Sequence, residues 1–389
     1  MTAGMPATTR YRDDPDALAA LVRDDAVHRD VYIDPEVFTL EQERLWARRW
    51  VYVGHDSQVP RPGDCATLEV AGRGLVMARD DSGQVRVRRR GCALADIAPA
   101  GVAVHRGFVF VRLEGDGPDF DTWAGPMRRV LDDVVDRAPA GALRVVGAPI
   151  RSLIRANWKM YIENINDTVH PPGTHVSAND AASAVWAGQP ADAPKPMAIQ
   201  QLLPFGAGYA FFERMGGRVM PHGHSILGTQ ASIHSAYEDL PGYAAAMCAA
   251  HGDARAAEVL SFAPQNAVLY PSLSVKAMPT AIRVLRPLAV DLTLVEAWAF
   301  QPVGAPEALA RRAVTYNRLV FSPMSVLSHD DVHVFQTIQQ ALRASGNPWV
   351  SLHRGHVAPE RDGETADVGG TDERLIRNQF RAWARAMAG

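Results

Sequence analysis

Residues 157–175 contain a cluster of histidine and carboxylate side chains that can bind a metal ion. The segment reads NWKMYIENINDTVHPPGTH and holds Asp167, His170 and His175. Asp167 and His170 are three residues apart, which places them on one face of a helix. The two prolines after His170 end that helix, so the chain can turn and bring His175 back to the same point. The spacing alone leaves a second interpretation open, in which both histidines are ordinary helix-end and loop residues.

A carboxylate must join the two histidines before such a site can support oxidative chemistry. Two histidines and one carboxylate, with open coordination positions, are the ligands of non-haem Fe(II) oxygenases. Asp330 and Asp331 are candidates at the start of another helical pattern, where they can equally serve as first-turn acids that favour the helix dipole. His329 and His333 lie four residues apart in that pattern, and we interpret them as surface residues.

Composition and charge limit the class of protein. The chain has 389 residues, of which 47% are hydrophobic and 21% charged, enough apolar material for one large domain or two ordinary ones. Its 40 Lys and Arg against 43 Asp and Glu give a formal charge of -3, which argues against a general nucleic-acid binder. No apolar run approaches the roughly 20 residues of a membrane span, and the N-terminus lacks a signal-peptide core. We therefore expect a cytoplasmic protein with no nucleic-acid or membrane partner.

Changes in sequence pattern divide the chain into four parts. We predict N-terminal helices in residues 1–50, a small all-β unit in 51–115, a linker in 116–142 and a larger mixed region in 143–389. Two alternating runs flank DDSG at 80–83, as a β-hairpin requires. The predicted helices cover 14–29, 35–50, 127–136, 158–169, 306–321, 330–343 and 373–387, and the predicted loops cover 181–198, 214–228 and 357–372.

The segment ENINDTVHPPGTH resembles the E-N-x(2,3)-D-x-x-H-x4-H signature of catalytic α-subunits of Rieske-type aromatic-ring-hydroxylating oxygenases. GFVFVRLEG (107–115), SHDDVHVFQ (328–336) and ERLIRNQFRAWARAM (373–387) are similar to further segments of these subunits, in the same order. The resemblance implies an α+β protein with a small Rieske-like β domain in residues 51–115. In residues 143–389 it implies a helix-grip catalytic domain, whose curved antiparallel sheet wraps around helices. It further implies an O2-dependent oxidoreductase, a dioxygenase or monooxygenase.

The resemblance also assigns roles to individual residues. His170 and His175 would bind Fe(II), and Asp331 would be the carboxylate ligand. Asp167 matches the acidic residue that, in the family, connects an iron-bound histidine to a Rieske centre of the adjacent subunit. Asn164 matches a residue close to the metal, where such neighbours orient the ligands.

The small β unit departs from the family because its [2Fe–2S] ligands are missing. A Rieske cluster takes two cysteines and two histidines, which the family supplies as C-x-H and C-x-x-H pairs. The chain has 3 cysteines, and only Cys92 lies where the first pair is expected. Leu94 stands two residues after Cys92, and Val102 stands three residues before His105. We therefore expect no [2Fe–2S] cluster in this chain and a reduced Rieske-like domain.

Loss of the cluster removes the electron source that the family uses at its iron. We favour an iron oxygenase subunit that oxidises an aromatic or apolar small molecule with O2. Its electrons would come from a Rieske-bearing paralogue or a reductase, and the assembly would be a homo- or hetero-trimer. A second possibility is that the substrate or a co-substrate supplies the electrons. The alternative from another class is a non-catalytic or regulatory subunit that assembles with a true Rieske oxygenase.

The substrate is expected to lie beside the iron in a mainly apolar pocket. Arg283 and Arg286 can fix a substrate carboxylate there, but we favour outward-facing strand positions for both. His222 and His224, spaced H-x-H, are interpreted as part of a loop or pocket rim, not as a metal pair. The candidate wall residues, each equally interpretable as core, are Met160, Val169, Phe211, Leu227, Leu273, Phe300 and Phe321.

Overall fold

The computed structural model describes most of the chain, including both candidate ligand segments. Cys92 and Leu94, on which the predicted loss of the first cluster-ligand pair depends, lie outside the described residues. No helix among the described residues is long and apolar enough to cross a membrane. The described residues are 10–90, 98–233, 240–361 and 363–389.

The helices are short near the N-terminus and longest in the last third of the chain. In chain order they are α1 (Pro15–Ala19), α2 (Asp30–Ile33), α3 (Pro35–Glu41), α4 (Phe120–Ala124), α5 (Met127–Val135), α6 (Trp158–Asn166), α7 (His170–Thr174), α8 (Val176–Trp186), α9 (Met197–Leu202), α10 (Tyr209–Met215), α11 (Tyr243–His251), α12 (Asp253–Ser261), α13 (Glu307–Val320), α14 (Val326–Ala341) and α15 (Arg374–Met387). A π-helical turn and three 3-10 turns lie at Gln42–Trp46, Asp56–Gln58, Leu203–Gly206 and Pro221–Gly223.

The strands fall into separate small and large sheets, and all their pairings are antiparallel. In chain order the strands are β1 (Ala26–His28), β2 (Val51–His55), β3 (Cys65–Val70), β4 (Arg73–Arg79), β5 (Val85–Arg89), β6 (Gly101–His105), β7 (Phe108–Arg112), β8 (Leu143–Val145), β9 (Ile150–Ile154), β10 (Gly217–Val219), β11 (Ser225–Leu227), β12 (Asn266–Leu269), β13 (Leu273–Lys276), β14 (Ala281–Ala289), β15 (Leu292–Pro302), β16 (Trp349–Ser351) and β17 (Ala366–Val368).

The small β unit consists of two three-stranded sheets, ordered β2-β7-β6 and β3-β4-β5. The predicted hairpin at 80–83 is confirmed, because β4 pairs with β5 and the Asp80 carboxylate accepts bonds from the backbone of Ser82 and Gln84. β6 was not predicted. Its five residues begin with Gly101 and carry too short an alternating pattern to indicate a strand.

The large sheet has nine strands and confirms the α+β prediction. Its order is β17-β10-β11-β12-β13-β14-β15-β8, and β9 also pairs with β15. Helices α6 and α15 belong to the largest apolar core, where Trp158 and Trp383 are fully buried with Trp46 from the N-terminal segment. This core joins the N-terminal helices, the small β unit and the large sheet, so it holds α6 rigidly at its N-terminal end.

Four local predictions were wrong in part. The predicted helix 14–29 ends at Ala19, because residues 26–28 instead pair with β16 more than 300 positions away. The predicted loop 181–198 begins inside α8, and residues 357–372 contain β17. Residues 214–228 contain β10 and β11, whose glycine-rich sequence hides the strand pattern from local inspection.

Candidate metal centre

Two short helices bring the histidines of the motif together. α6 starts with the Asn157 side chain accepting a bond from the Lys159 backbone, and it ends where Asp167 adopts an extended conformation. α7 then begins at His170 and carries a proline in its first turn, where the missing N–H costs nothing. His175 follows directly after α7, so the two imidazoles lie at opposite ends of one helical turn and face each other at 5.5 Å between ring centroids.

Helix α14 supplies the carboxylate from the far end of the sequence. This helix begins at Val326, four residues before the predicted start, because the Ser325 hydroxyl accepts a bond from the Ser328 backbone. Asp331 therefore lies in the second turn, where the dipole effect on a carboxylate has already fallen off. A role in helix stability does not account for its position, which is directly opposite the two histidines.

The donor atoms of His170, His175 and Asp331 all lie within 4.8 Å of one another. The Asp331 Oδ1 atom is 3.3 Å from His175 Nε2 and 3.8 Å from His170 Nε2. His175 is buried and the other two residues are half-buried. Two imidazoles and one carboxylate leave coordination positions open, so the residues present fit a mononuclear Fe(II) ion.

A second carboxylate stands behind each histidine. His170 Nδ1 lies 3.2 Å from Asp167 Oδ2, which also accepts the His170 backbone N–H. His175 Nδ1 lies 3.4 Å from Asp330 Oδ2. Each imidazole thus points Nε2 towards Asp331 and Nδ1 towards another carboxylate, the arrangement that fixes tautomer and orientation in histidine–metal sites. Sequence inspection assigned no such role to Asp330, whose only visible signal was its place beside Asp331.

The Asn164 amide lies among the candidate ligand atoms. Its Nδ2 atom is 3.0 Å from His170 Nε2 and 3.1 Å from Asp331 Oδ1. An Nε2 atom that accepts this bond carries a lone pair, so the His170 proton resides on Nδ1 and faces Asp167. The same lone pair cannot serve the amide and a metal ion at once. Metal binding to His170 therefore requires Asn164 to release this hydrogen bond.

Nearby carboxylates set the electrostatics of the two imidazoles. Burial opposes protonation of His175, but the hydrogen bonds and charges of Asp331 and Asp330 outweigh it and raise the His175 pKa. Burial likewise opposes ionisation of Asp167, but its bonds with His170 and the nearby charge of Arg354 lower the Asp167 pKa overall. Arg354, which the sequence did not single out, donates to Asp167 Oδ1 at 2.6 Å.

A cavity adjoins the three candidate ligands and is called here the central cavity. It encloses about 100 Å³ between α6, α14 and the face of the large sheet. Of the predicted wall residues, Leu227 and Phe321 line it, whereas Leu273 and Phe300 lie in the core. Its walls include Ile165, Phe205, Phe212, Leu227, Phe321 and Phe335.

The preferred outward orientation of Arg283 was wrong. Arg283 is only 6% exposed and lines the central cavity together with Lys276. Arg286 does not line the central cavity. It donates to the Tyr52 carbonyl and lies 3.7 Å from a carboxylate oxygen of Glu296. Residues three apart on a strand point to opposite faces, so both arginines could not face outward. Which of the two faces the cavity depends on the pairing of the strand and could not be read from the sequence.

The other histidines of interest have different surroundings. His224 is buried, with Nε2 bonded to the Trp123 carbonyl and Nδ1 accepting the Tyr270 backbone N–H, so neither nitrogen is free for a metal. His329 and His333 are exposed on α14. Among the described residues a second group of candidate donors exists, but its members do not line the central cavity. They are Asp25, His353 and His356.

Comparison with known proteins identifies the family. Residues 120–389 match the family described as ring hydroxylating alpha subunit (catalytic domain), which covers more than half of the chain. The N,N-dimethyl phenylurea N-demethylase subunit alpha of Sphingobium sp. (strain YBL2) is 24% identical over 85% of this chain and 84% of that protein. The anthranilate 1,2-dioxygenase large subunit of Acinetobacter baylyi is 24% identical over 93% of this chain and 89% of that protein.

Solved structures show the same fold. A naphthalene 1,2-dioxygenase with indole bound in its active site matches with a TM-score of 0.74 and 19% identity, covering 95% of this chain and 94% of that one. A quaternary ammonium Rieske monooxygenase matches with a TM-score of 0.61 and 14% identity, covering 99% of both chains. Since the family match takes in α6, α7 and α14, the chain belongs to the α-subunits of ring-hydroxylating oxygenases, a family of oxidoreductases.

Proposed function

We propose that this chain is a mononuclear non-haem iron oxygenase subunit that holds Fe(II) with His170, His175 and Asp331. The convergence of two Nε2 atoms and one carboxylate oxygen at the wall of a cavity carries the proposal. A purely structural metal site has no need of open coordination positions or of an adjoining cavity. Both features are required where O2 and an organic substrate must meet.

The bound Fe(II) would supply the activation of O2 for hydroxylation or another oxidation of the substrate. The chain's own residues position the ligands and the substrate. Asp167 and Asp330 hold the two imidazoles with Nε2 turned inward. The substrate is an aromatic or similarly apolar small molecule, which the apolar walls of the central cavity support. Named relatives act on a phenylurea, on anthranilate and on naphthalene.

Electrons for this chemistry would come from another protein, because the Rieske cysteines are missing from the sequence. We propose that they enter at the side of Asp167. A second cavity opens on that side, beyond His170 and Asp167, and Arg354 and Glu373 border it. A structural study of a quaternary ammonium Rieske monooxygenase describes inter-subunit electron transfer in that protein. By analogy, a Rieske-bearing paralogue in a mixed trimer, or a separate reductase, would dock here.

Metal analysis of the purified chain tests the iron proposal. After anaerobic reconstitution with Fe(II), we expect about one iron per chain and no acid-labile sulfide. Exposed His333 provides a matched control, since His333→Ala leaves the iron content unchanged. Absence of bound iron after reconstitution would favour the alternative, a non-catalytic subunit that stabilises a true oxygenase.

Purification from the native host tests the electron route. If a Rieske-bearing partner supplies electrons, iron and sulfide co-purify in a complex, with the sulfide in the partner chain. Asp167→Asn should then abolish turnover by the complex even at Fe(II) concentrations that keep the site loaded. Unchanged turnover with Asp167→Asn would refute entry of electrons at this carboxylate.

A further inference from the structure

Two cations lie side by side on the floor of the central cavity. Lys276 ends β13 and Arg283 lies in β14, directly opposite Ser274. Residues two apart on a strand share a face, so Ser274, Lys276 and Arg283 all point to the same side of the sheet. Both cations line the same cavity as His170, His175 and Asp331.

Neither cation forms an ion pair with a carboxylate in the described ranges. The Lys276 ammonium donates to the Gln265 carbonyl at 2.8 Å, and its remaining donors have no partner there. One terminal nitrogen of Arg283 donates to Asn266 at 2.6 Å and to Ser274 at 2.8 Å. The buried Arg283 Nε has no hydrogen-bond partner among the residues described.

Neutral neighbours hold these cations but do not balance their charge. The Arg283 guanidinium lies 4.7 Å from the Phe321 ring centroid, and the Lys276 ammonium lies 5.8 Å from the Tyr316 ring centroid. Lys276 and Arg283 are 2% and 6% exposed. Burial and the charge of Arg283 lower the Lys276 pKa well below its ordinary value. An arrangement of this kind is costly unless an anion joins it.

The other buried lysine of the chain, Lys159, has a counter-charge inside the protein. Lys159 is 1% exposed and pairs with Glu41, which is fully buried. That pair needs no external partner. Lys276 is equally buried, but its only nearby formal charge among the described groups is another cation. Since no carboxylate among the described groups balances Lys276, an anionic ligand in the cavity would supply that negative charge.

We propose that the central cavity selects substrates bearing a carboxylate, which binds between Lys276 and Arg283 while the ring lies towards His170, His175 and Asp331. This inference rests on the proposed function, since it names the substrate class of the same site. Arginine and lysine donors can together bind both oxygens of one carboxylate. The cavity of about 100 Å³ is smaller than the roughly 150 Å³ that accepts benzene, so a monocyclic aromatic acid fits better than a polycyclic one.

Calorimetric binding of benzoate and of benzamide tests the proposal, because the two probes share size and shape but differ in charge. We expect the wild-type chain to bind benzoate at least about 30-fold more tightly than benzamide. Lys276→Met and Arg283→Met should each remove most of this preference and leave the affinity for benzamide unchanged. Lys195→Met, at a lysine that does not line the cavity, is the matched control and should keep the full preference.

Two further measurements separate this proposal from the iron proposal. Benzoate can also bind a metal ion directly, so binding is measured with and without Fe(II). The preference for benzoate should persist in the metal-free chain, and iron content should be unchanged in Lys276→Met. A preference that disappears with the metal would place the carboxylate on the iron and overturn the proposal.

The thermal midpoint of the unliganded variant shows whether Lys276 is a structural residue. Lys276→Met removes a buried amine that has no carboxylate partner among the described groups, so its midpoint should be unchanged or higher. Equal binding of benzoate and benzamide by the wild-type chain at millimolar concentrations would contradict carboxylate selection. So would a variant at Lys276 or Arg283 that folds and keeps the full preference.

Discussion

The two ends of helix α6 carry buried charges that are arranged in opposite ways. At the N-terminal end, Glu41 accepts bonds from the Lys159 ammonium and from the indole N–H groups of Trp158 and Trp383. Every charge there has a partner inside the protein. Beyond the C-terminal end, donor atoms of three side chains converge on one point and adjoin a cavity. The first arrangement serves the fold, and the second is poised for a ligand.

This difference gives a physical criterion for function. Buried charges that are paired and hydrogen-bonded carry no information about a ligand, however unusual they are. Convergent lone pairs, or cations without an internal counter-charge, remain costly until something binds. His170, His175 and Asp331 meet the criterion for a metal ion, and within the part of the chain that the structure describes Lys276 and Arg283 meet it for an anion.

The largest effect is expected from loss of a candidate ligand. His175→Ala should reduce the iron content after anaerobic reconstitution from about one ion per chain to near zero, because two remaining ligands do not hold Fe(II). Circular dichroism should show that the fold is kept, since α6 is anchored by its other end. Full iron content in His175→Ala would show that the metal is bound elsewhere.

Loss of Glu41 should cause the largest change in stability without any change in iron ligands. Glu41→Gln leaves the buried Lys159 ammonium without its hydrogen-bonded counter-charge, which costs about 3–5 kcal/mol of unfolding free energy. Urea titration measures this change. The double variant Glu41→Gln with Lys159→Met should recover part of the loss. If Lys276→Met proved as destabilising as Glu41→Gln, Lys276 would be a structural residue like Lys159.

A smaller effect is expected where a carboxylate acts on the metal only through an imidazole. Asp330→Asn should weaken Fe(II) binding by about 10- to 100-fold, because His175 loses the group that orients its Nδ1 side. Asp331→Asn, at the neighbouring position, should weaken it far more. Competition with a calibrated chelator measures both affinities. Equal losses at the two positions would mean that Asp330 is itself a ligand or that Asp331 is not.

A separate effect is a change in the pH dependence of stability. Burial raises the Glu163 pKa from 4.5 to about 7, more than the nearby charge of Lys159 offsets. The folded state therefore binds a proton that the unfolded state has released, so this contribution is complete below about pH 4.5 and is lost as the pH rises through 7. Glu163→Gln should flatten thermal midpoints across this window relative to the wild type. Parallel curves for the two proteins would show that Glu163 titrates normally.

Local sequence patterns predicted the parts of the molecule that depend on local chemistry. The hairpin around Asp80, helices α5 and α15 and the spacing of His170 and His175 are all visible in short windows. The pairing of β1 with β16 and the position of Arg283 were not predictable, because both depend on strands far apart in sequence. Asp330 was missed for a similar reason, since only the packing of α14 against His175 reveals its partner.

We propose that this chain holds one mononuclear iron and no [2Fe–2S] cluster. The Mössbauer spectrum of the protein reconstituted anaerobically with enriched Fe(II) tests both the iron and the missing cluster. We expect a single high-spin ferrous species that disappears in His175→Ala and persists in His333→Ala. A [2Fe–2S] signal, or iron that survives the loss of His175, would contradict it.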